Sequence, residues 1–311
     1  MSKYLVTGGA GFIGSHIAEE LLKRGETVRV IDNYITGKKE NIEPFLDKIE
    51  LLEEDIRDYG ICERAVESVD FVLHQAALPS VPRSIEDPIS TNAINVEGTL
   101  NLLLASSRTK VKRFVFASSS SVYGDDPRLP KKEEMGGNPL SPYALTKLAG
   151  EKYCLVFNRI YGLSTVCLRY FNIFGPRQDP ASQYAAVIPR FINKMLEGNK
   201  PTIFGDGEQS RDFTFVANVV EANILTSKAK NVSGEVFNIG CGEKATVNSL
   251  AEKINEILST DIKPIYDKPR PGDVKHSYAD VSKAREKLQY QPLVTVKEGL
   301  ERTINWNRER K

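Results

Sequence analysis

Through its first half the chain alternates short apolar runs with stretches in which apolar residues recur every three or four positions. The runs are Tyr4–Thr7, Thr27–Ile31, Ile49–Leu52, Phe71–His74, Arg113–Ala117 and Thr165–Leu168. They are almost continuous in Val, Ile, Leu and Phe, as strands become when helices cover both faces of their sheet. The first intervening stretch, Gly14 to Arg24, has helical period, and the others are long enough for crossover helices. This alternation predicts an α/β fold built on a doubly wound parallel sheet.

After Phe171 the pattern changes. Pro176, Pro180, Pro189, Pro201, Gly205 and Gly207 punctuate shorter elements, while Glu235–Ile239 is one more apolar run suited to rejoin the main sheet. The expected division is a sheet domain of residues 1–172 plus about 211–245, and a smaller, discontinuous α/β domain of 173–210 plus about 246–311. The helix-rich tail of the latter is interrupted by the loop Lys268–Asp273.

Composition narrows the picture. A chain of 311 residues has ample material for a buried core, and a net charge of +1 argues against nucleic acid or an anionic membrane as partner. Cys62, Cys154, Cys167 and Cys241 lie far apart without a CxxC pair, and only His16, His74 and His276 could join them, so neither a metal site nor a disulfide framework is predicted. Glycines interrupt the apolar N-terminal stretch, and a cytoplasmic location is expected.

The first run leads into Thr7-Gly8-Gly9-Ala10-Gly11-Phe12-Ile13-Gly14, directly before the predicted helix. Glycines there permit a tight turn and let backbone N–H groups approach a pyrophosphate at the positive helix end. Asp32, about 20 residues on at the end of the second run, can accept hydrogen bonds from the adenosine ribose, which predicts a Rossmann-type fold with NAD as cofactor. Lys38 and Lys39 leave NADP open. Asp55 and Ile56, after the third run, are placed to reach the adenine edge or to form an ordinary turn.

Ser118-Ser119-Ser120-Ser121 follows the fifth run, at the carboxyl edge of the sheet where ligands bind. Tyr143 and Lys147, spaced i and i+4, share one face of a predicted helix. An ammonium beside a phenol favours phenolate, which makes Tyr143 a candidate base.

With Arg169-Tyr170-Phe171-Asn172, these motifs occur in the order found in the extended short-chain dehydrogenase/reductase family, and the chain resembles its UDP-hexose and UDP-N-acetylhexosamine 4-epimerases along essentially its whole length. The resemblance implies an NAD-dependent isomerase with Ser119, Tyr143 and Lys147 as catalytic residues, Ser119 bonding the sugar O4 with Ser120 or Ser121 able to share its role. It implies cofactor contacts from Gly8, Gly11, Phe12, Ile13, Gly14, Asp32, Asn33, Gly37, Asp55, Ile56, Ala76, Ala77, Asn92 and Tyr170, besides Tyr143 and Lys147. On the UDP-sugar side it implies Asn172 on sugar or phosphate, Arg211 and Arg270 on the diphosphate, Asp273 on the uridine ribose, and Tyr184–Pro189, including Val187, with Thr202–Phe204 around the uracil. Arg211 could instead pair locally with Asp212. A homodimer through helices near Thr91–Ser107 and Tyr143–Tyr161 is also implied.

Related dehydratases carry an acidic pair, and related decarboxylases a glutamate, in the loop that here holds Ser120 and Ser121, so the likeness favours C4 epimerisation. Ser277 takes the place of a bulky tyrosine found in enzymes restricted to glucose and galactose. Ser80, a candidate sugar contact or a plain turn serine, lies in a segment like that of enzymes accepting N-acetylhexosamines. UDP-GlcNAc/UDP-GalNAc interconversion, with UDP-Glc/UDP-Gal alongside, is the expected reaction.

Overall fold

The computed structural model describes residues 1–179, 187–269 and 275–310. Seven parallel strands form the main sheet: β1 (Lys3–Thr7), β2 (Thr27–Ile31), β3 (Ile49–Leu52), β4 (Phe71–His74), β5 (Arg113–Ser119), β6 (Thr165–Tyr170) and β7 (Glu235–Ile239). Their order is β3-β2-β1-β4-β5-β6-β7, so the winding reverses between β1 and β4 and opens a crevice at the carboxyl ends. β2, β3, β4 and β7 have the bounds read from the sequence. β5 and β6 run further because Ser118 pairs with Arg169 and Ser119 with Tyr170, so the ladder outlasts the apolar pattern.

Alternation of side chains across the sheet divides the core into two layers. Tyr4, Val6, Val30, Leu73, Val115 and Val166 face one cluster, which receives Ile17 and Leu21 from helix Phe12–Lys23 and Val219 from helix Val216–Lys228. Leu5, Ile31, Val72, Phe114 and Phe116 face the other, filled by Leu102 and Leu103 from helix Gly98–Ser107 and by Cys154 and Phe157 from helix Pro142–Tyr161. The last of these helices is well delimited. Ser141 accepts the Ala144 N–H at 3.2 Å, Pro142 sits in the first turn, and Gly162 ends it at φ +68°. Gly150 lets it approach β5 closely, since a Cβ there would stand 2.3 Å from the Phe116 ring.

Beyond β6 the elements are short. Ile173–Phe174 pairs with Thr214–Phe215, Thr202–Phe204 with Ile265–Asp267, and Ser210–Arg211 lies between Ala245–Thr246 and His276–Ser277. Helices Val187–Leu196, Val247–Leu258 and Val296–Glu309 pack on one another beside them. Among the described residues no helix is long and apolar enough to cross a membrane.

Candidate active site

The crevice at the switch point begins with the glycine turn. Gly8 has φ +66° and is pressed against the Ala76 backbone; a Cβ on Gly14 would lie 2.1 Å from the Gly8 carbonyl oxygen. No side chain caps the helix that starts at Phe12, so its positive end is left to an anion. Gly8, Gly11, Phe12, Ile13 and Gly14 all line the cleft.

Asp32 is buried at the end of β2 and lines the cleft, its carboxylate oriented by the N–H groups of Ala10 at 2.9 Å and Tyr34 at 2.8 Å. Burial raises its pKa, and these N–H groups act in the opposite direction. Gly37 does not itself line the cleft. A Cβ there would meet the Asp32 oxygens at 2.7 and 2.8 Å, so glycine keeps that carboxylate uncrowded.

Ser119 and Tyr143 meet at the far end. The Ser119 Oγ accepts from the Ser121 N–H at 3.2 Å and the Ser121 hydroxyl at 2.9 Å, which caps the turn Ser120–Tyr123. Burial raises the Tyr143 phenol above its usual range, opposed by its hydrogen bond with Ser119. The sequence reading expected Lys147 to acidify this phenol. Instead the Lys147 Nζ donates to the Ala117 carbonyl at 2.8 Å and stands 5.9 Å from the Tyr143 ring centroid, itself pushed down to about 8 by burial. Spacing did place the pair on one helix face, but the ammonium is anchored to β5 rather than to the phenol.

The NAD dependent epimerase/dehydratase family matches residues 4–240. The chain belongs to this family. It is 42% identical to a UDP-N-acetylglucosamine 4-epimerase from Methanobrevibacter ruminantium M1 solved in complex with UDP-N-acetylmuramic acid (TM-score 0.95, covering 100% of this chain and 99% of that one). It is 41% identical to a UDP-glucose 4-epimerase from Thermotoga maritima solved with UDP-glucose (TM-score 0.94, 99% of each chain). A UDP-glucuronic acid 4-epimerase from Bacillus cereus, in complex with UDP-glucuronic acid and NAD, is 36% identical (TM-score 0.92, covering 99% and 100%).

NAD is the cofactor of this family member, and the residues present fit it: an uncapped helix end behind glycines that no side chain can replace without collision, and a buried carboxylate at β2. The two lysines that left NADP open are engaged elsewhere, Lys38 with Asp179 at 3.2 Å and Lys39 with Glu53 at 2.9 Å. Asn33, Ile56, Ala76, Ala77, Tyr143, Lys147 and Tyr170 line the cleft as expected. Three expected contacts do not, Gly37 among them. The Asp55 carboxylate is captured by Arg57 at 2.7 Å and by the Asn33 amide at 2.8 Å, and Glu54 lines the cleft in its stead. Asn92 is exposed, and the helical stretch after it widens into a π-turn over Ala93–Glu97. That extra residue per turn brings Asn95 inward, where its amide bonds both backbone groups of Leu78 and the Thr146 hydroxyl.

The sequence reading also missed Gln75. Its amide closes a ring with Tyr170 and Asn223: Tyr170 donates to Gln75 at 3.1 Å, Asn223 donates to Tyr170 at 2.8 Å, and Gln75 donates to Asn223 at 3.1 Å. Gln75 and Tyr170 are thereby fixed in the cleft wall by Asn223 behind them, with no local sequence signal, since the partners come from three distant segments.

On the outer side the register sets Ser277 beside Arg211. Arg211 does not pair with Asp212; its Nη1 donates to the carbonyls of Ser210 at 2.9 Å and Lys275 at 3.2 Å. Asp212 is buried and collects the N–H groups of Cys241, Gly242 and Ala279. Asn172, at φ +37°, donates to the Asp212 carbonyl at 3.2 Å. Thr202 and Phe204 sit on one short strand, and Val187 opens the helix that follows the undescribed segment. Ser80, at φ +99°, caps helix Val81–Glu86 through the Arg83 N–H at 3.4 Å, so its hydroxyl already has a structural task. Arg270, Asp273 and Tyr184 lie outside the described residues.

Proposed function

We propose that this enzyme, an NAD-dependent UDP-sugar 4-epimerase, interconverts UDP-GlcNAc and UDP-GalNAc as its principal pair and accepts UDP-Glc and UDP-Gal as well. The observation that carries the reading is that Tyr143, hydrogen-bonded to Ser119, and Lys147 line one end of a cleft whose other end is the glycine cradle and Asp32. NAD, held by the glycine cradle and Asp32, would supply the hydride acceptor for C4. Tyr143 takes the proton of the C4 hydroxyl while Ser119 holds O4; Lys147, anchored on the Ala117 carbonyl, would hold the nicotinamide ribose. Loss of that proton and the C4 hydride leaves a 4-keto sugar, and their return to the opposite face gives the epimer with mass and oxidation state unchanged. Ser120 and Ser121 offer no carboxylate for elimination or decarboxylation at neighbouring carbons.

Arg211 and Arg270 would hold the diphosphate, with Asp273 on the ribose, Val187, Thr202 and Phe204 around the base, and Asn172 nearer the sugar. The small Ser277, beside Arg211, supports room for a 2-acetamido group. In this reading residues 1–172 with 211–245 bind the dinucleotide, and 173–210 with 246–311 bind the sugar nucleotide. A second copy of the chain is the proposed partner: Ile89, Leu145, Val156, Ile160 and Tyr161 are exposed on neighbouring helices. Light scattering should report a dimer, and Ile160→Glu should convert it to monomer.

The deciding experiment incubates the purified protein with UDP-GlcNAc, UDP-Glc and UDP-glucuronate separately, without added NAD. Epimers of unchanged mass, formed fastest from UDP-GlcNAc, are expected. Products lighter by CO2 or water would overturn the reaction, and faster turnover of UDP-glucuronate would overturn the substrate.

A further inference from the structure

Ser118, Arg169 and Asn238 occupy one register row across β5, β6 and β7, so their side chains leave the sheet on the same face, and all three are buried. Apolar side chains would ordinarily fill such a row beneath a covering helix. Here helix Pro142–Tyr161 sets Glu151 over it. The Glu151 Oε1 accepts from the Ser118 hydroxyl at 2.5 Å and from the Arg169 Nε at 2.8 Å, while Oε2 accepts from Arg169 Nη2 at 2.8 Å. The Arg169 guanidinium stacks on the Tyr123 ring, 4.7 Å from its centroid, and the Tyr123 hydroxyl donates to Asn238 at 2.7 Å. Ser118 and Tyr123 are the two ends of the serine turn, and Ser119 lies between them.

The same helix face supplies every rung. Tyr143, Lys147 and Glu151 follow one another at i, i+4 and i+8, and engage Ser119, the Ala117 carbonyl and Ser118 in turn. A buried ion pair is a poor source of stability, because desolvating both charges offsets most of their attraction, and apolar pairs of equal volume commonly serve as well. Stability therefore does not account for a charged pair at this place. What it provides is direction: two charge-assisted hydrogen bonds fix the guanidinium in plane, and that plane fixes Tyr123.

We propose that Glu151 and Arg169 are positioning residues that clamp both ends of the serine turn and so hold the Ser119 hydroxyl on the Tyr143 phenol. The proposal rests on the assignment of Ser119 and Tyr143 above. It is tested on the cofactor-loaded enzyme with Ser118→Ala, which releases the turn while leaving the ion pair intact, and with Glu151→Met/Arg169→Leu, which removes both charges together. Each should lower kcat by about 10-fold or more, the scale of a modest misplacement of a catalytic group, with KM within about twofold. Loss of kcat at unchanged KM in Ser118→Ala, with thermal stability near wild type, supports the clamp. Wild-type kcat in either folded variant overturns it, and Ser118→Ala decides alone if the double variant does not fold. Ser119→Ala, run beside them, separates the two readings: full activity there would defeat the assignment of Ser119 itself, whereas its loss beside an unaffected Ser118→Ala defeats only the clamp.

Discussion

The two ends of the cleft are built by different means. At the cofactor end nearly every feature is a backbone feature held within about thirty residues of sequence: a glycine turn, an uncapped helix, a strand-end aspartate. The residues proposed for the sugar nucleotide sit instead on two- and three-residue strands joined across long stretches of chain, Ser210–Arg211 to His276–Ser277 and Thr202–Phe204 to Ile265–Asp267. Backbone geometry tolerates few substitutions, whereas a wall of side chains can change its occupant by changing one residue. The cofactor end should therefore fail outright when altered, and the sugar end should change preference.

The largest effect tests where the two ends meet. Tyr143→Phe should lower kcat by about 10³-fold, within the range of general acid-base catalysis, while the protein keeps its NAD. Turnover at the wild-type rate in that variant would remove the base from the scheme. Next in size is Gly14→Ala. Its methyl group would collide with the Gly8 carbonyl, and we expect NAD retention after gel filtration to fall about 100-fold, with unfolding about 2 kcal/mol easier, as for strain at a special backbone site. Ser277→Tyr should act on the other end alone, lowering kcat/KM for UDP-GlcNAc about 10- to 100-fold relative to UDP-Glc. Equal loss on both sugars would show that this residue does not line the acetamido pocket.

The smallest effect concerns charge. Burial holds Lys147 at about 8, below the 10.5 of an exposed lysine, so between those values the unfolded chain binds more protons than the folded one. Stability of the cofactor-free protein should rise with pH across that window, and the rise should be absent in Lys147→Met. Urea unfolding at pH 7.5 and 10 measures it; a fall with pH in the wild type would contradict the buried, lightly compensated ammonium described here.

The same contrast explains what was legible in the sequence. Strands β2, β3, β4 and β7 and the glycine turn follow from local pattern, because a doubly covered strand must be apolar and a pyrophosphate turn must be glycine-rich. Asn92 is expected at the cofactor from the family likeness alone; it is exposed, and the π-turn after it, which turns Asn95 inward, has no signal in the sequence pattern. Asp55 is expected at the adenine edge or in an ordinary turn, and Arg57 two residues on binds its carboxylate. Gln75, Asn223 and Glu151 carry no local signature at all; their roles depend on partners 148, 148 and 33 residues away. The phenol's raised pKa was unreadable for a related reason, since desolvation depends on how deeply the helix seats against β5.

Asn238 shares one side chain among three segments: it accepts from Tyr123 and donates to the carbonyls of Lys131 and Asp280, while its backbone N–H donates to Glu133. Swinging the strand that carries Ser277 away from the sheet would break several buried hydrogen bonds together, each worth about 1 kcal/mol. A jaw-like opening is accordingly expensive.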